Sequence, residues 1–257
     1  YASYSTGYKP GGYNTDPTAE AAGALFFDPE KAKNLEFGMK GRFLDNALTV
    51  NATVFNSTLD DFQTNAFNGR SFSIRNAGKR SATGLELEGL ARLGDHFDLT
   101  YAWTHFFDAT YDDFAFGPCP TIQAVPNRPA SCETANVQDL AGITPCEISK
   151  DQVVLTGTFN FDVADLPTFL RSELYYRSEY TTSDDTDPRK SQDGFALFNA
   201  SIGVSSPDEK YQVQLWSKNL FGAKYNVGDF NSVGQPGSLN SFPSDPTTYG
   251  VTVRGKF

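Results

Sequence analysis

The sequence is poor in apolar residues and has no long hydrophobic run. Hydrophobic residues make up 39% of the 257 positions, below the roughly 45–50% of an ordinary globular domain. A helical membrane protein needs stretches of about 20 apolar residues, and the longest candidate, near residues 19–27, is broken by Glu20 and Gly23. The formal charge of −10 argues against nucleic-acid binding, because an acidic chain repels phosphate.

Cysteine is scarce as well, and its spacing excludes the common zinc patterns. The three cysteines, Cys119, Cys132 and Cys146, form no C-x-x-C pair, so we predict no metal site. One disulfide and one remaining thiol, formed in an oxidising compartment, fit this number better. The sequence leaves all three pairings open.

What the chain does have is aromatic residues, glycine and a repeating alternation. Aromatic residues reach 14% and there are 22 glycines, a composition that argues against disorder. Apolar and polar residues alternate with period two, which is the period of a β-strand; residues 48–54, for example, place Leu, Val, Ala and Val on one face. We count ten such segments, many of them longer than ordinary strands: 1–9, 31–44, 47–63, 72–92, 96–112, 148–163, 168–182, 194–206, 210–221 and 247–257.

The connections between these segments alternate in length. Tight turns are predicted at 44–47, 93–96, 164–167 and 206–209. Longer polar loops are predicted near 10–30, 64–71, 113–147, 183–193 and 222–246. This alternation predicts an up-and-down meander with short turns at one rim and long loops at the other.

The two faces of the strands require two different solvents. One face carries charged residues, among them Glu36, Lys40, Glu88, Arg171 and Glu173, and burying them unpaired in a dry core would cost several kcal/mol each. A hydrated lumen removes this cost, and lipid suits the apolar face. We therefore predict an all-β, antiparallel, up-and-down transmembrane β-barrel, since only helices and closed sheets satisfy their backbone in lipid. Aromatic girdle candidates at the strand ends are Tyr4, Tyr8, Trp103, Phe106, Phe107, Tyr111, Tyr176 and Tyr180.

Several short motifs, in order, resemble the C-terminal part of a TonB-dependent outer-membrane receptor. They are Tyr-Lys-Pro-Gly-Gly-Tyr-Asn at 8–14, Pro-Glu-Lys at 29–31 leading into Asn-Leu-Glu-Phe-Gly at 34–38, Asn-Ala-Gly at 76–78 with Gly-Leu-Glu-Leu-Glu at 84–88, Lys-Asn-Leu-Phe-Gly-Ala-Lys-Tyr at 218–225, and the closing residues 249–257. The resemblance implies that the ten segments are the last ten strands of a 22-stranded barrel. The chain would then be a fragment or a processed product, because it begins at Tyr1 within a strand pattern. The plug domain, the TonB-contacting motif and the first part of the barrel would lie outside residues 1–257.

The resemblance also implies the function and the partners. The receptor would reside in the bacterial outer membrane, contact its lipid, and take up a scarce small-molecule ligand such as a ferric siderophore. The TonB complex would act through the plug region. The barrel assembly machinery would bind the C-terminal strand, where Phe257 follows Tyr249, Val251 and Val253 at alternate positions.

The external loops are the expected place of ligand capture. Together, charged and aromatic side chains in these loops supply charge and stacking surface, and they are the predicted contacts: Tyr13, Arg128, Arg189, Lys190 and Phe230. A disulfide within 113–147 would preorganise the longest loop. No cofactor is predicted.

We predict that the protein is not an enzyme. Its two histidines, His96 and His105, lie in a turn and near a strand end, and no nucleophile elbow or phosphate-binding loop is present. Two other functions remain open. A passive outer-membrane porin would share the barrel, and a soluble β-sandwich carbohydrate-binding module would instead pack its apolar faces together. A closed ten-stranded barrel is the structural alternative to a partial wall.

Overall fold

The computed structural model describes residues 1–15, 23, 25–67, 71–121, 128–235 and 237–256. Most of the described residues lie in β-strands. The strands are β1 (Ala2–Lys9), β2 (Gly12–Tyr13), β3 (Phe26–Phe27), β4 (Glu30–Phe43), β5 (Leu48–Asp60), β6 (Gln63–Phe67), β7 (Phe72–Asn76), β8 (Lys79–Leu93), β9 (Phe97–Asp113), β10 (Asp151–Val163), β11 (Leu166–Arg177), β12 (Tyr180–Thr181), β13 (Ser191–Gln192), β14 (Phe195–Ser205), β15 (Tyr211–Lys218), β16 (Asn226–Asn231), β17 (Leu239–Pro243) and β18 (Thr248–Gly255). Among the described residues, a short helix, α1 (Ala130–Thr134), and a 3₁₀ turn at Pro188–Lys190 interrupt the pattern. Within the described residues, no helix is long and apolar enough to span a membrane.

Ten strands form one antiparallel sheet, which we call the wall. Their order is β1-β4-β5-β8-β9-β10-β11-β14-β15-β18, so every strand pairs with its neighbours along the meander. The ten segments, their order and their all-β class are therefore confirmed. The order also has two ends, at β1 and β18, so the wall is an open sheet and the alternative of a closed ten-stranded barrel is wrong.

The tight turns all lie at one end of the wall, as predicted. The first of them joins β4 to β5 through Leu44, Asp45 and Asn46, all three with positive φ. Residues with short polar side chains such as Asp and Asn tolerate this left-handed conformation. The loop on the other side of each strand is long, so the two rims differ as the sequence predicts.

Four small hairpins stand on the long-loop rim, beyond the ten wall strands. They pair β2 with β3, β6 with β7, β12 with β13, and β16 with β17. Three of their strands reach into predicted wall segments, because 47–63, 72–92 and 168–182 continue the alternation past the ends of β5, β8 and β11. The connection 222–246, predicted as a loop, contains the β16–β17 hairpin.

The apolar rows of the wall stay partly or largely exposed, whereas the polar face carries cross-strand hydrogen bonds. Registered pairing aligns one apolar row across seven strands: Met39, Ala52, Leu87, Trp103, Val153, Tyr176 and Ala196. Large apolar side chains of the wall, such as Phe37 and Val251, remain more than half exposed. On the opposite face, the Asn51 amide donates to Glu88 at 3.2 Å and the Asn199 amide donates to Glu173 at 2.9 Å. The predicted two-sided sheet is confirmed.

The one packed apolar cluster among the described residues lies at the long-loop rim and not in the wall. It consists of Phe62, Ala77, Tyr111, Phe114 and Leu140. Tyr111 stacks on Phe62 with ring centroids 5.3 Å apart. Tyr111 is therefore a core residue of the rim, and its prediction as a membrane girdle residue is wrong; Tyr180, also buried, is corrected in the same way.

Candidate functional site

Three connections at the long-loop rim are joined into one structure. We call it the loop cluster; it comprises the described residues of 114–150, 178–194 and 219–247. Its centre is an ion pair between Lys190 and Asp185, whose side chains are 2% and 3% exposed. Asp185 also accepts a hydrogen bond from the Asn231 amide at 3.3 Å, and its backbone carbonyl accepts one from the Gln138 amide at 3.2 Å. Residues from all three connections therefore converge on this buried pair.

Arg189 ties the three connections together a second time. Its guanidinium forks onto the Asp187 carboxylate at 2.7 and 3.0 Å. Further N–H groups donate to the Thr121 hydroxyl at 2.7 Å and to the Gly237 carbonyl at 2.8 Å. Burial by itself would raise the pKa of Asp187, but the hydrogen bonds from Arg189 outweigh it and hold that pKa below its usual range.

A disulfide and a second arginine order the longest connection. Cys119 and Cys132 are bonded, 13 residues apart, and Cys146 is a free thiol. This is one of the three pairings that the sequence left open. Arg128 lies inside the loop closed by the bond and donates to the carbonyls of Pro120 and Cys132 at 3.0 and 3.1 Å. Burial, with a smaller contribution from the nearby Asp184, raises the pKa of the Cys146 thiol to about 12.

The β16–β17 hairpin has its polar side inward and its aromatic side outward. Asp229 is buried, accepts a hydrogen bond from Thr182 at 2.8 Å and pairs with Ser241. Phe230 and Phe242 lie on the solvent side, 43% and 61% exposed, with ring centroids 5.5 Å apart. A hairpin that served only to cover its neighbours would bury the rings, so this orientation offers stacking surface to solvent.

Two more hairpins, β2–β3 and β6–β7, form a separate structure that we call the hairpin pair. The Asn14 side chain joins them, because its amide donates to the Ile74 carbonyl at 2.9 Å and its oxygen accepts from the Ile74 N–H at 2.8 Å. The Gln63 amide reaches the carbonyls of Pro10 and Asp28, both at 3.0 Å. A cleft of about 410 Å³ opens between the hairpins, and its lining residues are Tyr13, Asn14, Thr15, Asn65, Phe72, Ser73 and Ile74.

The structure separates the five predicted ligand contacts into two groups. Tyr13 and Phe230 present exposed rings, on the cleft and on the outer side of the β16–β17 hairpin. Lys190 is buried in its pair with Asp185, and Arg128 is 13% exposed within the disulfide loop, so both positions are corrected to internal supports. Arg189 bridges loops and keeps about a third of its side chain exposed.

Two aromatic residues at these surfaces, Phe72 and Phe242, were not predicted from the sequence. Phe72 is the second ring of the cleft. Phe242 is the second ring of the β16–β17 hairpin. Phe72 lies in the alternating run of the predicted segment 72–92, whereas Phe242 lies in the predicted loop 222–246. The cleft lining brings Phe72 together with Tyr13, and the pairing of β16 with β17 brings Phe242 close to Phe230. No cluster of metal-ligating side chains occurs in the part of the chain that the structure describes.

The last strand has the alternation expected of an assembly signal. Tyr249, Val251 and Val253 are exposed on one face of β18. One edge of this strand pairs with β15. The fourth predicted residue, Phe257, lies outside the described residues.

An open antiparallel sheet with apolar rows exposed on one face, polar bonding on the other and every long connection at one rim is the wall of a transmembrane β-barrel. A family model described as "TonB dependent receptor-like, beta-barrel" matches residues 1–220. The chain belongs to this family. Barrels of the family are bacterial outer-membrane proteins, which confirms the predicted location.

Comparisons with individual proteins agree with this assignment. The pesticin receptor of Yersinia pestis is 40% identical over 88 residues, which are 34% of this chain and 13% of that protein. The crystal structure of the ferric yersiniabactin uptake receptor FyuA from Yersinia pestis superposes with a TM-score of 0.74 at 19% identity, over 100% of this chain and 34% of that one. The siderophore receptor PiuA from Acinetobacter baumannii gives a TM-score of 0.70 at 17% identity, over 98% and 32%. The chain thus spans about a third of the solved structures that it resembles.

Proposed function

We propose that this chain is the C-terminal part of the barrel of an outer-membrane TonB-dependent receptor that takes up a small ligand such as a ferric siderophore. The family match over residues 1–220 supports this proposal. So does the similarity in fold to siderophore receptors whose chains are about three times as long. The remaining strands and the plug would lie in the rest of such a receptor.

The wall would serve as the scaffold of transport. Its exposed apolar rows would contact outer-membrane lipid, and its polar face would line a hydrated lumen. The free edges of β1 and β18 would pair with the other strands of the barrel, because an unpaired backbone N–H or C=O group is costly in lipid. The outer row of β18, with Tyr249, Val251, Val253 and the terminal Phe257, would be bound by the barrel assembly machinery.

The long-loop rim would capture the ligand on the external side. The observation that carries this part is the fusion of three connections around Asp185 and Lys190, with aromatic rings left at the surface. A surface that is already ordered loses less entropy when a ligand binds. TonB would act through the plug, and we assign no catalytic reaction to any residue.

The proposal is tested in a strain that lacks the full-length receptor. Expression of the receptor should restore growth on iron-limited medium, and uptake of the radiolabelled iron chelate should stop when the proton gradient is dissipated. Uptake that persists without the gradient would identify a passive porin. Recovery of the protein in the aqueous fraction without detergent would support a soluble β-sandwich module instead.

A further inference from the structure

The cleft of the hairpin pair combines aromatic walls with uncharged polar groups. Tyr13 and Phe72 supply two rings, both about two-thirds exposed. Amides and hydroxyls supply the polar part of the lining, through Asn14, Asn65, Thr15 and Ser73. None of the lining residues that the structure describes is charged, so the described walls of the cleft offer stacking and hydrogen bonding without a counter-ion for an anionic ligand.

The net negative charge of the surrounding connections also disfavours an anionic ligand. The five long connections, residues 10–29, 61–78, 114–150, 178–194 and 219–247, contain 14 Asp and Glu against 7 Lys and Arg. They therefore hold a net charge of −7 out of the chain's −10. A polyanion that approaches this rim would meet a like charge, which slows its association and weakens its binding.

Three of these seven cations are also committed to internal partners. Lys190 is buried against Asp185, Arg189 forks onto Asp187, and Arg128 pairs with Glu133 at 3.2 Å. Each pair satisfies the donors that would otherwise be offered to a carboxylate or a catecholate. The cations that the sequence marked as ligand contacts thus hold the loops together.

We propose that the cleft between the two hairpins binds an uncharged aromatic group of the transported ligand, stacked on the exposed ring surface that Tyr13 and Phe72 contribute to its lining. The inference rests on the proposed function and narrows it, since this side of the receptor would select a neutral chelate and not a polyanionic one. Asn65 and Ser73 would contribute hydrogen bonds to carbonyl or hydroxyl groups at the edge of the bound ring. Stacking of this kind depends on the face of the aromatic ring and not on net charge.

The test uses the full-length receptor and two iron complexes of similar size. One probe is the neutral complex of iron(III) with three benzohydroxamates, and the other is the trianionic complex with three catecholates. Quenching of protein fluorescence measures both dissociation constants. We expect the neutral probe to bind at least tenfold more tightly, and Tyr13→Ala to weaken that binding about tenfold while Tyr13→Phe retains most of it.

A pair of charge variants separates stacking from electrostatics. Asn65→Lys and Asn65→Asp place opposite charges on the exposed wall of the cleft, and Gln235→Lys places the same positive charge on an exposed turn of the β16–β17 hairpin. If the bound group is uncharged, the two Asn65 variants should change affinity for the neutral probe by the same factor to within about threefold. Affinity for the trianion should rise with Asn65→Lys no more than with Gln235→Lys.

The outcomes distinguish the inference from the function on which it rests. Tighter binding of the trianion, or a Tyr13→Ala receptor with unchanged affinity, would overturn the inference. Gradient-dependent iron uptake that is insensitive to every cleft variant would leave the receptor function standing and remove the cleft from it. Failure of both complexes to bind, together with absent iron uptake, would overturn both.

Discussion

Lys190 and Asp185 form an ion pair almost wholly removed from solvent, at the point where three separate connections meet. The apolar cluster shares the connection 114–150 with this site, since Leu140 lies two residues from Gln138, whose amide donates to the carbonyl of Asp185 in the pair. Removing one member leaves a charge buried without its partner, which costs about 3–5 kcal/mol. The loop cluster therefore depends on this pair for its single arrangement.

The first prediction concerns this pair. Asp185→Asn should loosen the loop cluster, because the Lys190 ammonium loses its counter-charge in a buried site. We expect faster cleavage of 178–194 by added protease in whole cells, with unchanged heat-modifiable migration of the barrel. Measurement is by immunoblot of the cleaved fragments.

Two controls define the result. Lys210→Met removes a cation that is 64% exposed and paired with Asp208 at a tight turn, and it should leave protease resistance unchanged. The double variant Asp185→Asn, Lys190→Met should recover part of the resistance, since it leaves no unpaired charge. Equal cleavage of the single and double variants would show that the charge is not the cause.

The second prediction concerns the disulfide. Cys119→Ser opens the loop closed with Cys132, and closing a loop of this length stabilises it by about 3 kcal/mol in the chain-entropy description. We expect protease sensitivity confined to 114–150, and the same sensitivity in the native protein after treatment with a reductant. Cys146→Ser should show neither effect, because Cys146 takes part in no disulfide.

The third prediction follows from the raised pKa of Cys146. At pH 8 the thiolate fraction of a thiol with a pKa of about 12 is about a thousandfold lower than that of an ordinary exposed cysteine. Maleimide labelling of the folded protein should therefore be slow, and it should accelerate as the pH rises toward 11. The folded state holds this proton more firmly than the unfolded state, so the contribution of Cys146 to stability is full below about pH 9 and is lost as pH rises toward 12. Rapid labelling at pH 8 would contradict the raised pKa of this half-buried thiol.

The fourth prediction concerns Gly89 in the wall. A side chain at this position would collide with the Thr49 carbonyl and with the Tyr101 ring, and the Tyr101 hydroxyl donates to that carbonyl at 3.1 Å. Gly89→Ala should lower the yield of folded barrel in the membrane, as measured by heat-modifiable migration. Gly7→Ala is the matched strand control, since its added carbon meets only Ala32 at 4.0 Å. Equal yields from the two variants would show that the wall relaxes around the added methyl group.

The fifth prediction concerns the exposed rings of the β16–β17 hairpin. Phe230→Ala and Phe242→Ala should each weaken ligand binding to the full-length receptor about fivefold to tenfold, because an aromatic contact contributes about 1 kcal/mol beyond its buried area. Tyr211→Ala removes a ring that is 57% exposed at the tight-turn rim, and it should leave binding unchanged. An unchanged affinity in both Phe variants would limit the hairpin to a supporting role.

The wall was predictable from the sequence because the alternation that defines each strand is a local pattern. Every second residue along β5 or β10 faces the same solvent, so alternation alone defines the strands and their number. The rim was not predictable in the same way. Asp185, the partner of Lys190, accepts hydrogen bonds from Asn231 and Gln138, which come from two other connections, and no pattern along 183–193 reveals them.

The aromatic residues show the same limit. Tyr111 and Trp103 both lie on β9, in similar alternating sequence. Trp103 belongs to the partly exposed apolar row of the wall, whereas Tyr111 packs with Leu140 and Phe62 at the rim. The register between β8 and β9 shifts between Phe106 and Asp108, and this bulge places Tyr111 on the opposite face of β9 from Trp103. The alternation along the sequence does not reveal such a bulge.

The position of the packed apolar cluster at the rim sets how the chain can vary. In the proposed receptor, side chains along the wall would touch fluid acyl chains, which adapt to shape, so one aliphatic residue could replace another there at little cost. The residues around Phe62 and Tyr111 are close-packed, so a change of even a single methylene group there should affect stability. Natural sequence drift in such receptors should therefore be permissive through the lipid belt and restrictive beneath the loops, although loops are ordinarily the parts of a protein that change most freely.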